Sequence, residues 1–236
     1  MLLSEIAFRR NYFVSFAFFV FQLGEESQMK RIVVLGFAIT LMAPGVASNV
    51  DAQGNSLSFF ITSTNPGKGG DLGGIAGADA HCAALAKAAG AGDRQWRAYL
   101  STDKEHAKDR IGSGPWFNAK GVQVAANVAD LHSDNNKLSK ENSLTEKGAV
   151  VNGRGDKPNE HDILTGSNLD GTSSGKTCNN WTSSGADATA TVGHHDRQGG
   201  GANPTSWHAA HDSKGCSLDA LRGSGGAGYF YCFAAK

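Results

Sequence analysis

Histidine and carboxylate crowd into one stretch of this chain. His194-His195-Asp196 and Trp207-His208-Ala209-Ala210-His211-Asp212 place four of the eight histidines within eighteen residues. Imidazole and carboxylate suit zinc, and the H-x-x-H spacing of His208 and His211 would present two nitrogens from one helical turn. The spacing is not H-E-x-x-H, so no glutamate stands between the pair as a general base. The segment around them is rich in Gly. A solvated polar loop is the favoured reading. Weak metal binding by His194, His195, His208 and His211 is the alternative, with a metal-dependent enzyme behind both.

Other chemistries leave fainter marks. Nothing singles out one Ser as a nucleophile, so no catalytic residue is assigned. Gly67–Gly74 precedes a helix as phosphate loops do, but it lacks their closing Gly-Lys-Ser/Thr and reads as a flexible lead-in. Arg154-Gly155-Asp156 spells an adhesion tripeptide, yet Gly-Asp is ordinary turn chemistry. No cofactor is expected.

These groups need a scaffold, and the expected one is α+β. Leu57–Ser63 is β-prone and closes at Asn65-Pro66-Gly67. Ala78, Cys82, Leu85, Ala86 and Ala89 recur at helix spacing, with Gly90 as the stop, so Cys82 points inward. Trp96, Ala98 and Leu100 alternate with Arg97 and Tyr99 as in a strand. Gly228–Phe233 predicts a last strand, expected beside the first, with Phe230 and Cys232 on one face and Tyr229, Tyr231 and Phe233 on the other. Between about 112 and 215 patterning is sparse, with short strands expected at Asp162–Gly166 and Cys178–Trp181. Residues 183–206 hold almost no large apolar side chain, the mark of a functional or disordered loop.

The front of the chain reads as an address. Met29-Lys30-Arg31, the apolar run from Ile32 and the small residues after it form a secretory signal at 29–52. Residues 1–28 read as an upstream extension from a misplaced start, and 53–236 as a single domain, secreted or periplasmic. The apolar runs Tyr12–Leu23 and Ile32–Val46 both fall short of the ~18–20 residues that span a bilayer, so no integral membrane span is expected in the mature chain. Four cysteines in an oxidising compartment imply disulfides. Three pairings are open, and spacing favours Cys82 with Cys232, tying the domain's ends together, and Cys178 with Cys216. A zinc site competes, but no C-x-x-C pair exists.

Taken in order, Phe60-Ile61-Thr62-Ser63, Gly77-Ala78-Asp79-Ala80-His81-Cys82, Trp96-Arg97-Ala98-Tyr99-Leu100-Ser101, Asp109-Arg110-Ile111, Gly114-Pro115-Trp116, Leu164-Thr165-Gly166, Cys178-Asn179-Asn180-Trp181 and Tyr231-Cys232 make a recognisable series. Over roughly 57–236 the chain resembles bacterial exported proteins with a C-type-lectin-like domain, related in fold to the endostatin domain. That resemblance implies a two-part antiparallel sheet with flanking helices, paired terminal strands and a long loop region. It also supports the two disulfide pairs. Calcium-dependent lectins carry Glu-Pro-Asn or Gln-Pro-Asp and Trp-Asn-Asp, whereas this chain has Lys157-Pro158-Asn159 and no Trp-Asn-Asp. The function implied is non-catalytic recognition of a glycan or surface protein without the usual calcium motif, chiefly by loops between 165 and 212. Trp181, Trp207, Asn179 and Asn180 are the candidate ligand contacts, and a structural or protein–protein interaction domain is the alternative.

Composition narrows the partners. Lys and Arg number 22 against 22 Asp and Glu, and residues 1–52 hold four of each sign, so 53–236 is also balanced. Such a surface does not recruit nucleic acid. Charged residues at 19% and apolar residues at 40% suit a globular chain.

Overall fold

A computed structural model describes residues 56–235; the signal segment expected at 29–52 and the stretch 1–28 lie outside them. The elements run β1 (Phe59–Ile61), α1 (Gly74–Ala88), β2 (Gln95–Ala98), α2 (Ala107–Arg110), β3 (Trp116–Phe117), β4 (Gln123–Ala125), α3 (Val128–Leu131), β5 (Asp162–Leu164), α4 (Cys178–Trp181), β6 (Thr191–His194), β7 (His211–Asp212), α5 (Leu218–Ser224) and β8 (Gly226–Ala235). The architecture is α+β.

Strand β8 is the spine. Its alternating side chains divide between two buried clusters, Phe230 and Cys232 in one, Tyr231 and Phe233 in the other. β1 pairs antiparallel with it, Phe60 opposite Cys232, so first and last strands meet as expected. β2 is also antiparallel to β8, with Ala98 opposite Cys232. Farther along, β5 lies parallel to β8, then β6 and β7 follow antiparallel. The sheet is therefore mixed and not purely antiparallel: the long crossover between β5 and β8 lets both run the same way. β3 and β4 form a separate two-stranded ribbon.

Helix α1 buries Ala78, Cys82 and Ala86 of the stripe its spacing predicts, with Leu85 and Ala89 half-buried against the same cluster, and Gly90 takes a φ of 79° just beyond the end. Asp79 fixes the helix to the sheet. Its carboxylate accepts from Arg110 at 2.7 and 2.8 Å, from Arg97 at 2.7 Å and from the Ala98 backbone N–H at 2.8 Å. The Cys82–Cys232 bond ties α1 to β8, and Cys178–Cys216 joins the loop region to the approach of α5. Disulfides of this kind persist in oxidising compartments. Among the described residues no helix is long and apolar enough to cross a membrane.

Three local expectations are corrected. Cys178–Trp181 is not a strand but one left-handed turn, with φ between 49° and 66° at all four residues. Left-handed backbone is costly away from Gly and Asn, and here it is clamped at both ends. The Trp181 N–H donates to Thr177 O, and the Trp181 carbonyl accepts from the Leu72 N–H. Residues 183–206 are not loop throughout, because β6 runs through them. Its Thr-Val-Gly-His sequence lacks apolar bulk since β6 passes against other backbone: a Cβ on Gly193 would stand 1.9 Å from Trp207 O. Finally, 67–74 is seated on the second disulfide, with Gly70 N–H donating to Cys216 O at 2.7 Å, and is no loose lead-in.

Candidate functional site

Strands β5, β6 and β7 bring three histidines around one carboxylate. His161 Nε2, His194 Nε2 and His211 Nε2 lie 3.1, 3.3 and 3.5 Å from Asp162 Oδ1. His161, Asp162 and His194 are buried, and each offers a ligand atom within 4.8 Å of the others. His211 reaches the same oxygen from the outer side, a quarter of its side chain exposed. The His161 and His194 rings stack with centroids 4.3 Å apart. Backbone closes tightly over them: a Cβ on Gly199 would stand 2.1 Å from His194 Cε1.

The hydrogen bonds on the far side of each ring set its tautomer. His194 Nδ1 lies 2.7 Å from Pro204 O and His211 Nδ1 lies 3.0 Å from Asp212 O. A carbonyl only accepts, so each Nδ1 carries the proton. His161 Nδ1 donates to the Asp196 carboxylate at 3.4 Å. Burial tends to raise the Asp196 carboxyl, but hydrogen bonds from His161, Arg154 N–H and Gln198 N–H outweigh it and hold the group at about 2. In its neutral form each ring therefore turns its Nε2 lone pair toward Asp162. Burial likewise tends to raise Asp162, and the neighbouring His194 and His211 hold it below its ordinary value; Asp162 in turn raises His211. Asp162 Oδ1 and Oδ2 and His194 Nε2 have no hydrogen-bond partner.

Of the four histidines singled out by spacing, His194 and His211 enter this centre and the other two do not. His195, next along the chain, turns away and bonds Asn152 O at 3.1 Å. His208 lies in the aromatic cluster with His132, Tyr99 and Trp207, and bonds Leu169 O at 2.9 Å. His208 lies in a bend and His211 in β7, so H-x-x-H does not act as a helical pair. His161 and Asp162 were missed by spacing, since they precede His194 and His211 by more than thirty residues. The available signal was a repeated dipeptide: His161-Asp162, His195-Asp196 and His211-Asp212.

The tryptophans proposed as ligand contacts are core residues. Trp181 is fully buried and donates to Ser101 O at 2.8 Å; Trp207 is 2% exposed and donates to Leu131 O at 3.1 Å. Neither offers an open stacking face. Asn179 is exposed and bonds Thr182, while Asn180 accepts from the Asp103 N–H at 2.9 Å. A lectin-type calcium site does not fit at 157–159 either. Lys157 brings an ammonium where a hard cation needs oxygen, and the Asn159 oxygen accepts from the His161 N–H. Gly171-Thr172-Ser173-Ser174-Gly175 has nucleophile-elbow spacing, but it forms a loop and not a strand-to-helix turn, so the catalytic context is missing.

Beside the histidine centre the long loops form an open cleft of about 810 Å³. Asp170, Thr172, Ser174, Lys176, Asn203 and His211 line it, with Leu169 as an apolar patch that is 53% exposed. The cleft has fixed walls. Asn168 Nδ2 donates to Ser173 O at 2.9 Å, Asn203 Nδ2 to Ala209 O at 2.9 Å, and Ser174 Oγ meets Thr191 Oγ1 at 2.8 Å. Such an arrangement offers hydroxyl, amide, carboxylate and ammonium groups to a polar ligand. No family model matches this chain, and a search of curated proteins finds no relative.

Proposed function

We propose that this chain is an exported, non-catalytic recognition module with a C-type-lectin-like fold, taking a glycan in the cleft between the 167–176 and 202–212 loops. The observation that carries this reading is the cleft itself, whose walls mix hydrogen-bonding groups with the exposed side chain of Leu169. Sugars present hydroxyls around their rim and C–H groups on their faces, so a ligand of this kind uses both. Paired terminal strands, two disulfides and a long loop region agree with the fold assigned by resemblance. The two disulfides also suit export.

Glycan-array binding of the oxidised full chain, with and without added calcium, tests the reading. Binding in both conditions is expected, and Leu169→Ala or Lys176→Ala should weaken it about tenfold, a loss of about 1.4 kcal/mol. Silence on the array from folded, disulfide-bonded protein refutes glycan recognition and favours a protein–protein interaction domain.

A further inference from the structure

In their neutral forms three imidazoles aim lone pairs at one carboxylate, an electrostatically incomplete arrangement. Each histidine has spent its Nδ1 proton on an acceptor behind it, on Asp196, Pro204 O and Asp212 O respectively. What remains at the centre is three acceptors around an anion, two of the rings and the carboxylate being buried. Buried polar atoms are ordinarily paired, and a carboxylate taken out of water needs a counter-charge. Yet neither Asp162 oxygen, nor His194 Nε2, has a hydrogen-bond partner. A cation at the centre resolves all of these at once.

We infer that His161, Asp162, His194 and His211 bind a first-row divalent transition metal, with zinc the best fit. Ligand atoms held about 2.0–2.1 Å from a tetrahedral zinc stand about 3.3 Å apart. The separations of Asp162 Oδ1 from the three nitrogens, 3.1 to 3.5 Å, bracket that edge. Three borderline imidazole nitrogens to one carboxylate oxygen favour zinc-type ions over calcium or magnesium, which take oxygen ligands. The outer shell has the form metal-binding histidines use, with each remote N–H held by a carboxylate or a backbone carbonyl. Four protein ligands close the site, so its role is to pin β5, β6 and β7 together beneath the cleft. His211 connects the two, as a ligand on one side and cleft lining on the other. The assignment does not depend on glycan recognition and stands if the array is silent.

The test is titration of metal-stripped, oxidised full-length protein with Co²⁺, followed by displacement with Zn²⁺. One equivalent should bind with the intense visible bands of tetrahedral Co²⁺, and zinc should abolish them. Asp196→Asn, which leaves all four ligands in place, should weaken binding about 10–100-fold; Asp162→Asn and His194→Gln should weaken it further, and His211→Gln should shift the cobalt spectrum. Absence of stoichiometric binding, octahedral-type bands, or affinity unchanged by Asp162→Asn and His194→Gln would each overturn the assignment. Should the buried variants not fold, histidine ¹⁵N NMR of the unmutated protein decides. Zinc should move the Nε2 resonances of His161 and His194 and leave those of His195 and His208 in place; no movement at His161 and His194 overturns the site.

Discussion

Acid should loosen this domain through His208, by an amount that follows from where the ring sits. Burial, and then the neighbouring His132, push the imidazole down to about 3. In the unfolded chain the same group titrates near ~6.5. Between those values the unfolded state takes up a proton that the native state refuses, so stability rises with pH across the window. The penalty is absent above about pH 6.5, grows by ~1.4 kcal/mol per unit as pH falls, and is complete near pH 3 at about 5 kcal/mol. At pH 5 it amounts to about 2 kcal/mol. His132 and His195 are also lowered, chiefly by burial, and add to the loss, while the raised His211 works against it. Comparison with His208→Gln isolates the one ring, since an amide in its place can still donate toward Leu169 O but takes up no proton. Urea unfolding of both oxidised, metal-stripped proteins at pH 7.5 and pH 5, followed by tryptophan fluorescence, measures the effect. Wild type should be the more stable at pH 7.5, and its advantage should shrink by about 2 kcal/mol at pH 5. An advantage of equal size at both pH values would refute this account of His208.

Three further outcomes follow from the core. Asp79→Ala leaves Arg110, whose side chain is 8% exposed, without its bidentate partner; it should cost about 3–5 kcal/mol and lower Tm by roughly 10 °C in calorimetry. Cys178→Ser with Cys216→Ser opens a bridge spanning 38 residues and should cost about 4 kcal/mol on the chain-entropy account, read by urea unfolding of the double variant. All four tryptophans are at most 3% exposed, so native emission should be blue-shifted and nearly insensitive to acrylamide until the chain unfolds.

Half of the candidate site is legible in the sequence. His194 and His211 draw notice because imidazole and carboxylate recur close together, but local spacing gives them the wrong companions. His195 alternates off the strand that presents His194, and His208 sits three residues from His211 on chain that is not helical. The true partners, His161 and Asp162, lie at β5, which no local pattern connects to β7. Trp207 shows the same limit: an aromatic residue in a polar stretch resembles a sugar platform until a core is seen to close over it.

Alternation and helical spacing, by contrast, are local properties. They determined that β8 divides its side chains between two faces and that α1 turns Cys82 inward, whereas cysteine spacing favoured the Cys82–Cys232 pairing and the structure decided it. The pairing of β1 with β8 aside, tertiary structure alone decided which distant strands become neighbours. That choice depends on burial summed over the whole sheet, and it set β5 parallel to β8 with β6 and β7 beside it. Three imidazoles and a carboxylate, separated by up to fifty residues of chain, became one centre only because those strands packed side by side.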